Sequence, residues 1–165
     1  MALQLYKIAT VEVGSAGSTT MVFNSIPQGY TDLKIVVSAR DSIAADFNSL
    51  TLNFNGSTAN FSARQLAGTG STVITGTVTN AVAPLPGSTI TANSFSNTEI
   101  YVPNYTSSGN KNYSWAGVLE NNATATRTIF ASGIWSNTAA ISSITIGTDG
   151  TSFVQYTTAT LYGIL

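Results

Sequence analysis

The chain contains no cysteine and no histidine, and these two absences remove most of the chemistry available to small proteins. Without cysteine there is neither a disulfide framework nor a thiolate nucleophile, and the redox compartment leaves no trace. Without histidine, zinc, copper and iron lose their commonest ligand, and a Ser-His-Asp arrangement cannot be assembled. Charge is scarce as well. Only 8% of the 165 residues are Asp, Glu, Lys or Arg, and the net charge is −1, against about 25% charged residues in ordinary globular chains. The six basic residues, Lys7, Lys34, Arg40, Arg64, Lys111 and Arg127, stand singly. They form no stripe that could neutralise phosphates, so nucleic acid is not an expected partner. No apolar run approaches the ~18 residues of a membrane span. The start, Met1-Ala2-Leu3-Gln4-Leu5-Tyr6, has no basic region followed by a long apolar one. The expectation is a protein made and folded in a cytoplasm with no membrane partner, reaching any site outside the cell by another route such as lysis.

What is present is a 43% hydrophobic chain whose polar half is Thr, Ser, Asn and Gly. Its length suits one domain, residues 1–165, able to bury on the order of 70% of its unfolded surface. The clearest architecture is the stretch from Ile26 to Arg40. Pro27 presets one turn dihedral and Gly29 is expected to supply the positive φ of a type II turn. From Asp32 the side chains then alternate, with Leu33, Ile35, Val37 and Ala39 on one face and Asp32, Lys34, Ser38 and Arg40 on the other. This is the period of a strand with one face on a core.

The theme repeats along the chain. Strands are expected at 3–13 and 19–25, the second with Met21 and Phe23 on one face. Residues 41–48 read as a loop or a single helical turn. Residues 49–55 alternate cleanly, with Leu50, Leu52 and Phe54 inward, and Asn55-Gly56 signals a hairpin into a return strand at 59–66. A strand at 71–83 is expected to end at Pro84-Leu85-Pro86. Further strands are expected at 96–105, at 112–120 with Tyr113, Trp115, Gly117 and Leu119 on one face, at 126–136 after an Asn121-Asn122 turn, and at 141–146. A second hairpin signal, Asp149-Gly150, precedes a long closing strand at 153–165. About nine to eleven strands with almost no helical period predict an all-β fold, an antiparallel β-sandwich of jelly-roll type.

Candidate chemistry is thin. The carboxylates Glu12, Asp32, Asp41, Asp46, Glu99, Glu120 and Asp149 are few and sit mostly at turns or strand ends, where they serve the backbone, so an enzyme is not expected. Asp41 and Asp46 could hold calcium with loop carbonyls, but the EF-hand spacing is missing and a solvated loop is the favoured reading. Trp115, Trp135, Tyr101, Tyr105, Tyr113 and Tyr156 could stack on a sugar ring, although core or interface packing is the better account of them. No catalytic, metal or cofactor site is assigned. A surface so poor in charge on so many strands leaves edges to be covered, which points to a homo-oligomer, in particular a trimer.

The succession Ile26-Pro27-Gln28-Gly29-Tyr30-Thr31-Asp32-Leu33, Arg40, Leu50-Thr51-Leu52-Asn53-Phe54-Asn55-Gly56, Asn60-Phe61-Ser62, Ile100-Tyr101-Val102-Pro103-Asn104-Tyr105, Lys111 and the ending Ala159-Thr160-Leu161-Tyr162-Gly163-Ile164 resembles small virion structural proteins of tailed bacteriophages, many of them from phages of cyanobacteria. The resemblance implies one of two roles. One is a capsid cement or decoration protein, usually a homotrimer, clamping neighbouring subunits of the major capsid protein. The other is the terminal head of a tail fibre or spike that meets a host-surface glycan or receptor. With no attachment domain or shaft ahead of the first strand, the cement role is preferred. For the receptor role the candidate loops are 41–48, 68–71, 84–88 and 107–112. The family motifs carry no catalytic residues.

Overall fold

In the computed structural model, which describes residues 4–120 and 126–165, the chain is all β. Its strands are β1 (Leu5–Glu12), β2 (Thr20–Phe23), β3 (Asp32–Ala39), β4 (Phe47–Phe54), β5 (Phe61–Gly68), β6 (Val73–Val78), β7 (Ala81–Pro86), β8 (Ser96–Val102), β9 (Lys111–Glu120), β10 (Thr126–Trp135), β11 (Ile144–Thr148) and β12 (Thr158–Ile164). They form two antiparallel sheets, of order β1-β12-β3-β8-β9-β10-β5-β6 and β2-β11-β4-β7. Setting aside the pairs β5–β6 and β9–β10 leaves four strands on each side, β1-β12-β3-β8 over β2-β11-β4-β7. That is the two-sheet arrangement of a jelly roll. The two extra pairs extend one sheet to eight strands.

Alternation placed the core as expected. Leu33, Ile35, Val37 and Ala39 of β3 are fully buried, as are Leu50, Leu52 and Phe54 of β4 and Ile100 and Val102 of β8. Across the space between the sheets, Phe54 of β4 meets Phe61, Tyr113 and Trp135 of the large sheet with ring centroids 5.6–5.7 Å apart. Each such pair contributes about 0.5–1.5 kcal/mol beyond area burial. This cluster fastens the extension strands β5, β9 and β10 to the jelly roll. At the rim, the Arg127 guanidinium lies 3.6 Å over the Phe47 ring, tying β10 to the start of β4.

Several local expectations are corrected. Asn55 and Gly56 both adopt positive φ, 52° and 72°, as a type I′ turn requires, yet β4 and β5 do not pair; they belong to different sheets. The Asn55 side chain accepts from the Ser142 and Ser143 amides and donates to the Ala140 carbonyl, so the turn is anchored to the segment before β11 and the chain crosses over. Asp149-Gly150 likewise joins β11 of the small sheet to a segment leading into β12 of the large one. The closing strand begins only at Thr158, after Tyr156 takes φ 69°. Gly29 is not in the positive-φ region; the turn is held instead by Gln28, whose amide bridges the Ile26 and Ile141 carbonyls. Finally, Pro84 and Pro86 lie inside β7, and the expected strand at 71–83 is two strands in two sheets. Backbone amides alternate in direction along a strand, so prolines two apart lack donors on the same side, and at the edge of a sheet no neighbouring strand needs those donors; the Pro86 carbonyl there accepts the Asp41 amide at 2.8 Å. Residues 41–48 form no helix; β4 already begins at Phe47. The Asn121-Asn122 turn lies outside the described residues.

Candidate functional site

Three loops are each organised by one buried charged side chain, and these account for several sequence candidates. Asp41 is fully buried. Its carboxylate accepts from the Ile43 amide at 2.7 Å, the Asn48 side chain at 3.1 Å and the Thr151 hydroxyl at 2.6 and 2.7 Å. The solvated-loop reading is therefore corrected for Asp41, whose oxygens are occupied by its own chain because buried carboxylates need donors. Asp46 is exposed and takes the Thr89 hydroxyl at 2.9 Å. Among the described residues no three acidic side chains gather as metal ligands would.

Arg40 donates to the carbonyls of Ile90, Thr91 and Ser94, holding the segment between β7 and β8. Lys111, only 1% exposed, donates to the carbonyls of Ser107 and Gly109 at 2.6 and 2.5 Å. Burial pushes both cations below their ordinary pKa values. Two candidate recognition loops are thus altered. Of residues 84–88, Pro84, Leu85 and Pro86 are buried strand. The 107–112 loop is closed from within by Lys111, and Lys111 and Asn112 begin β9. Of residues 68–71, Gly68 ends β5 and the other three lie in the turn between β5 and β6.

The aromatic candidates divide. Trp115, Trp135, Tyr105 and Tyr113 are core, at most 3% exposed, whereas Tyr101 and Tyr156 are 39% and 65% exposed. Tyr101 stands on the outer face of the eight-stranded sheet beside a solvent-open groove of about 620 Å³ lined by Ser62, Arg64, Asn112, Ser114, Ser132 and Ile134 among others. Register explains the lining: Lys34, Tyr101, Ser114, Ser132 and Arg64 are successive partners across β3, β8, β9, β10 and β5. Short serine side chains between a tyrosine and an arginine leave a trough in the sheet surface. Smaller troughs of about 430 and 270 Å³ continue it past Glu99, Ala116 and Phe130.

The groove's wall is fixed. The Tyr101 hydroxyl donates to Asp32 Oδ2 at 2.5 Å, and the other oxygen of Asp32 accepts the Asn104 amide at 2.8 Å. This bond to a carboxylate, with burial as a lesser cause, raises the Tyr101 pKa to about 12. The phenol stays neutral and its ring is held in place. Lys34 pairs with Glu99 at 2.9 Å on the same face. Sequence alternation put Asp32, Lys34, Glu99 and Tyr101 outward, but their meeting depends on β3 lying beside β8. Chemically the surface offers hydroxyls, the Arg64 guanidinium, which donates to the Ala63 carbonyl at 3.4 Å, and an aromatic face, suited to binding a neutral polar ligand or a protein surface.

No family model matches the chain, and neither a curated protein nor a solved structure does so.

Proposed function

We propose that this chain is a structural protein of a tailed-phage virion, a capsid cement protein that clamps neighbouring subunits of the major capsid protein as a homotrimer. The observation that supports this reading is the outer face of the eight-stranded sheet. Among the described residues no second layer covers it, it is broad, and its exposed Leu66, Phe130, Val118 and Tyr101 are set among Ser and Thr. Such a face works by contact area. About 800 Å² per partner, repeated by each subunit of an oligomer, raises the barrier to capsid rupture without any chemistry. Labelling parent virions with an antibody to this protein and counting copies by electron microscopy tests it. Hundreds of copies over the shell support the cement role; a few at the tail tip overturn it.

A second reading, a tail-fibre or spike head that binds a host-surface glycan, is favoured by the Tyr101 groove. An oriented aromatic face beside Ser62, Ser114, Ser132 and Asn112 offers stacking and hydrogen bonds to a neutral sugar. Glycan-array binding that is lost in Tyr101→Ala would support this reading, and an empty array would sink it.

A further inference from the structure

The two sheets have four edges, and three of them are closed to strand addition. In β1 the register is broken between Lys7 and Ala9, and the strand carries both Lys7 and Glu12. β2 is four residues long. β7 carries Pro84 and Pro86. Bulges, charges, shortness and proline are the means by which sheets protect an edge. The fourth edge, β6, has none of them. Its sequence Val73-Ile74-Thr75-Gly76-Thr77-Val78 is uncharged and free of proline, Val73 is 73% exposed, and among the described residues no strand lies beyond it.

We infer that β6 is the joint between two copies of this chain, paired antiparallel about a two-fold axis through Thr75. A second copy offers the same three closed edges, so its own β6 is the strand that can add here. The register follows from the hairpin. The Thr69 amide donates to the Thr72 carbonyl at 3.0 Å, and the ladder continues from Gly68 opposite Val73 to Ala63 opposite Val78. Bonded and non-bonded pairs alternate along an antiparallel ladder. Val73, Thr75 and Thr77 therefore turn their N–H and C=O groups away from β5. Centring the two-fold on Thr75 sets Val73 against the partner's Thr77 and Thr75 against the partner's Thr75, which bonds every outward-facing residue of the edge. With no charge on β6, the joint brings no like charges together. The two outer faces become continuous and stay free, so this contact is independent of the three-fold packing and the function proposed above.

The absence of cysteine makes the register directly testable. Directly opposed residues have Cα atoms about 5.5 Å apart, inside the range a disulfide spans. In Thr75→Cys the two thiols face each other. In Thr77→Cys each thiol faces Val73 of the partner and lies about 13 Å from its own counterpart, four residues further along the strand. Both positions are exposed on the same face of the same strand, so both variants are expected to fold. Oxidation of the concentrated proteins, followed by non-reducing electrophoresis, is expected to give a covalent dimer for Thr75→Cys and monomer for Thr77→Cys. Crosslinking of both variants, or of neither, overturns the assignment, the latter leaving the edge to a strand from a different protein.

Discussion

The ring of Tyr30 lies directly against the backbone of Gly163, so closely that a Cβ at that glycine would sit 2.3 Å from two ring atoms. The two residues come from distant parts of the chain, the turn before β3 and the last strand, and Tyr6 packs on the same tyrosine at 5.9 Å between centroids. Gly163→Ala is expected to cost about 1–3 kcal/mol by overpacking, read as a lower denaturation midpoint. In a Tyr30→Ala background the same substitution is expected to cost much less, since the ring it strikes is gone. Equal costs in both backgrounds would refute the contact.

The two acidic residues of the 41–48 segment are expected to behave oppositely. Asp41→Ala leaves the Ile43 amide, the Asn48 side chain and the Thr151 hydroxyl without their acceptor in a buried place, a loss of about 3 kcal/mol. Asp46→Ala, at an exposed position, is expected to change stability little. Urea denaturation of the two variants decides it, and similar midpoints would refute the assignment of Asp41 as the organiser of these loops.

Alkaline titration should separate the seven tyrosines. The pKa values of Tyr101 and Tyr113 are raised to about 12, the first by its bond to Asp32 and the second by burial, and burial also raises that of Tyr105. A fold that favours the neutral phenol is stabilised by it below pH about 10, where the unfolded tyrosine is protonated too, and loses that contribution as pH climbs from 10 to 12. Ultraviolet titration is therefore expected to show a late-ionising group of tyrosines whose release accompanies loss of structure. Asp32→Asn should bring Tyr101 into the early group. Ionisation of all seven together near pH 10 with the fold intact would contradict the geometry.

Thr98 is fully buried on the inner face of β8, and its hydroxyl has no hydrogen-bond partner among the described residues. Thr98→Val keeps the shape and removes an unpaired polar group. It is expected to raise stability by about 1 kcal/mol. A clear destabilisation would mean the hydroxyl is bonded in solution.

The sequence by itself determined which residues face inward. The alternation of β3, β4, β8 and β9 needs only a period of two and the free energy of burying Leu33, Leu50, Ile100 or Trp115, and it survives whatever the neighbouring strand turns out to be. It also settled the fold class, because so many short alternating runs without a helical period have few ways to bury their apolar faces. Turn chemistry was legible only locally. Asn55-Gly56 has the backbone expected of it, but whether the chain pairs back or crosses to the other sheet was decided by the acceptors and donors Asn55 finds around Ala140 and Ser142. The two prolines of β7 read as a terminator until the strand proved to be an edge. The candidate site was the least legible. Asp32, Tyr101, Ser114, Ser132 and Arg64 lie far apart in the chain, and their convergence is a property of strand order, which is set by packing across the core and leaves no local signal in the residues it brings together.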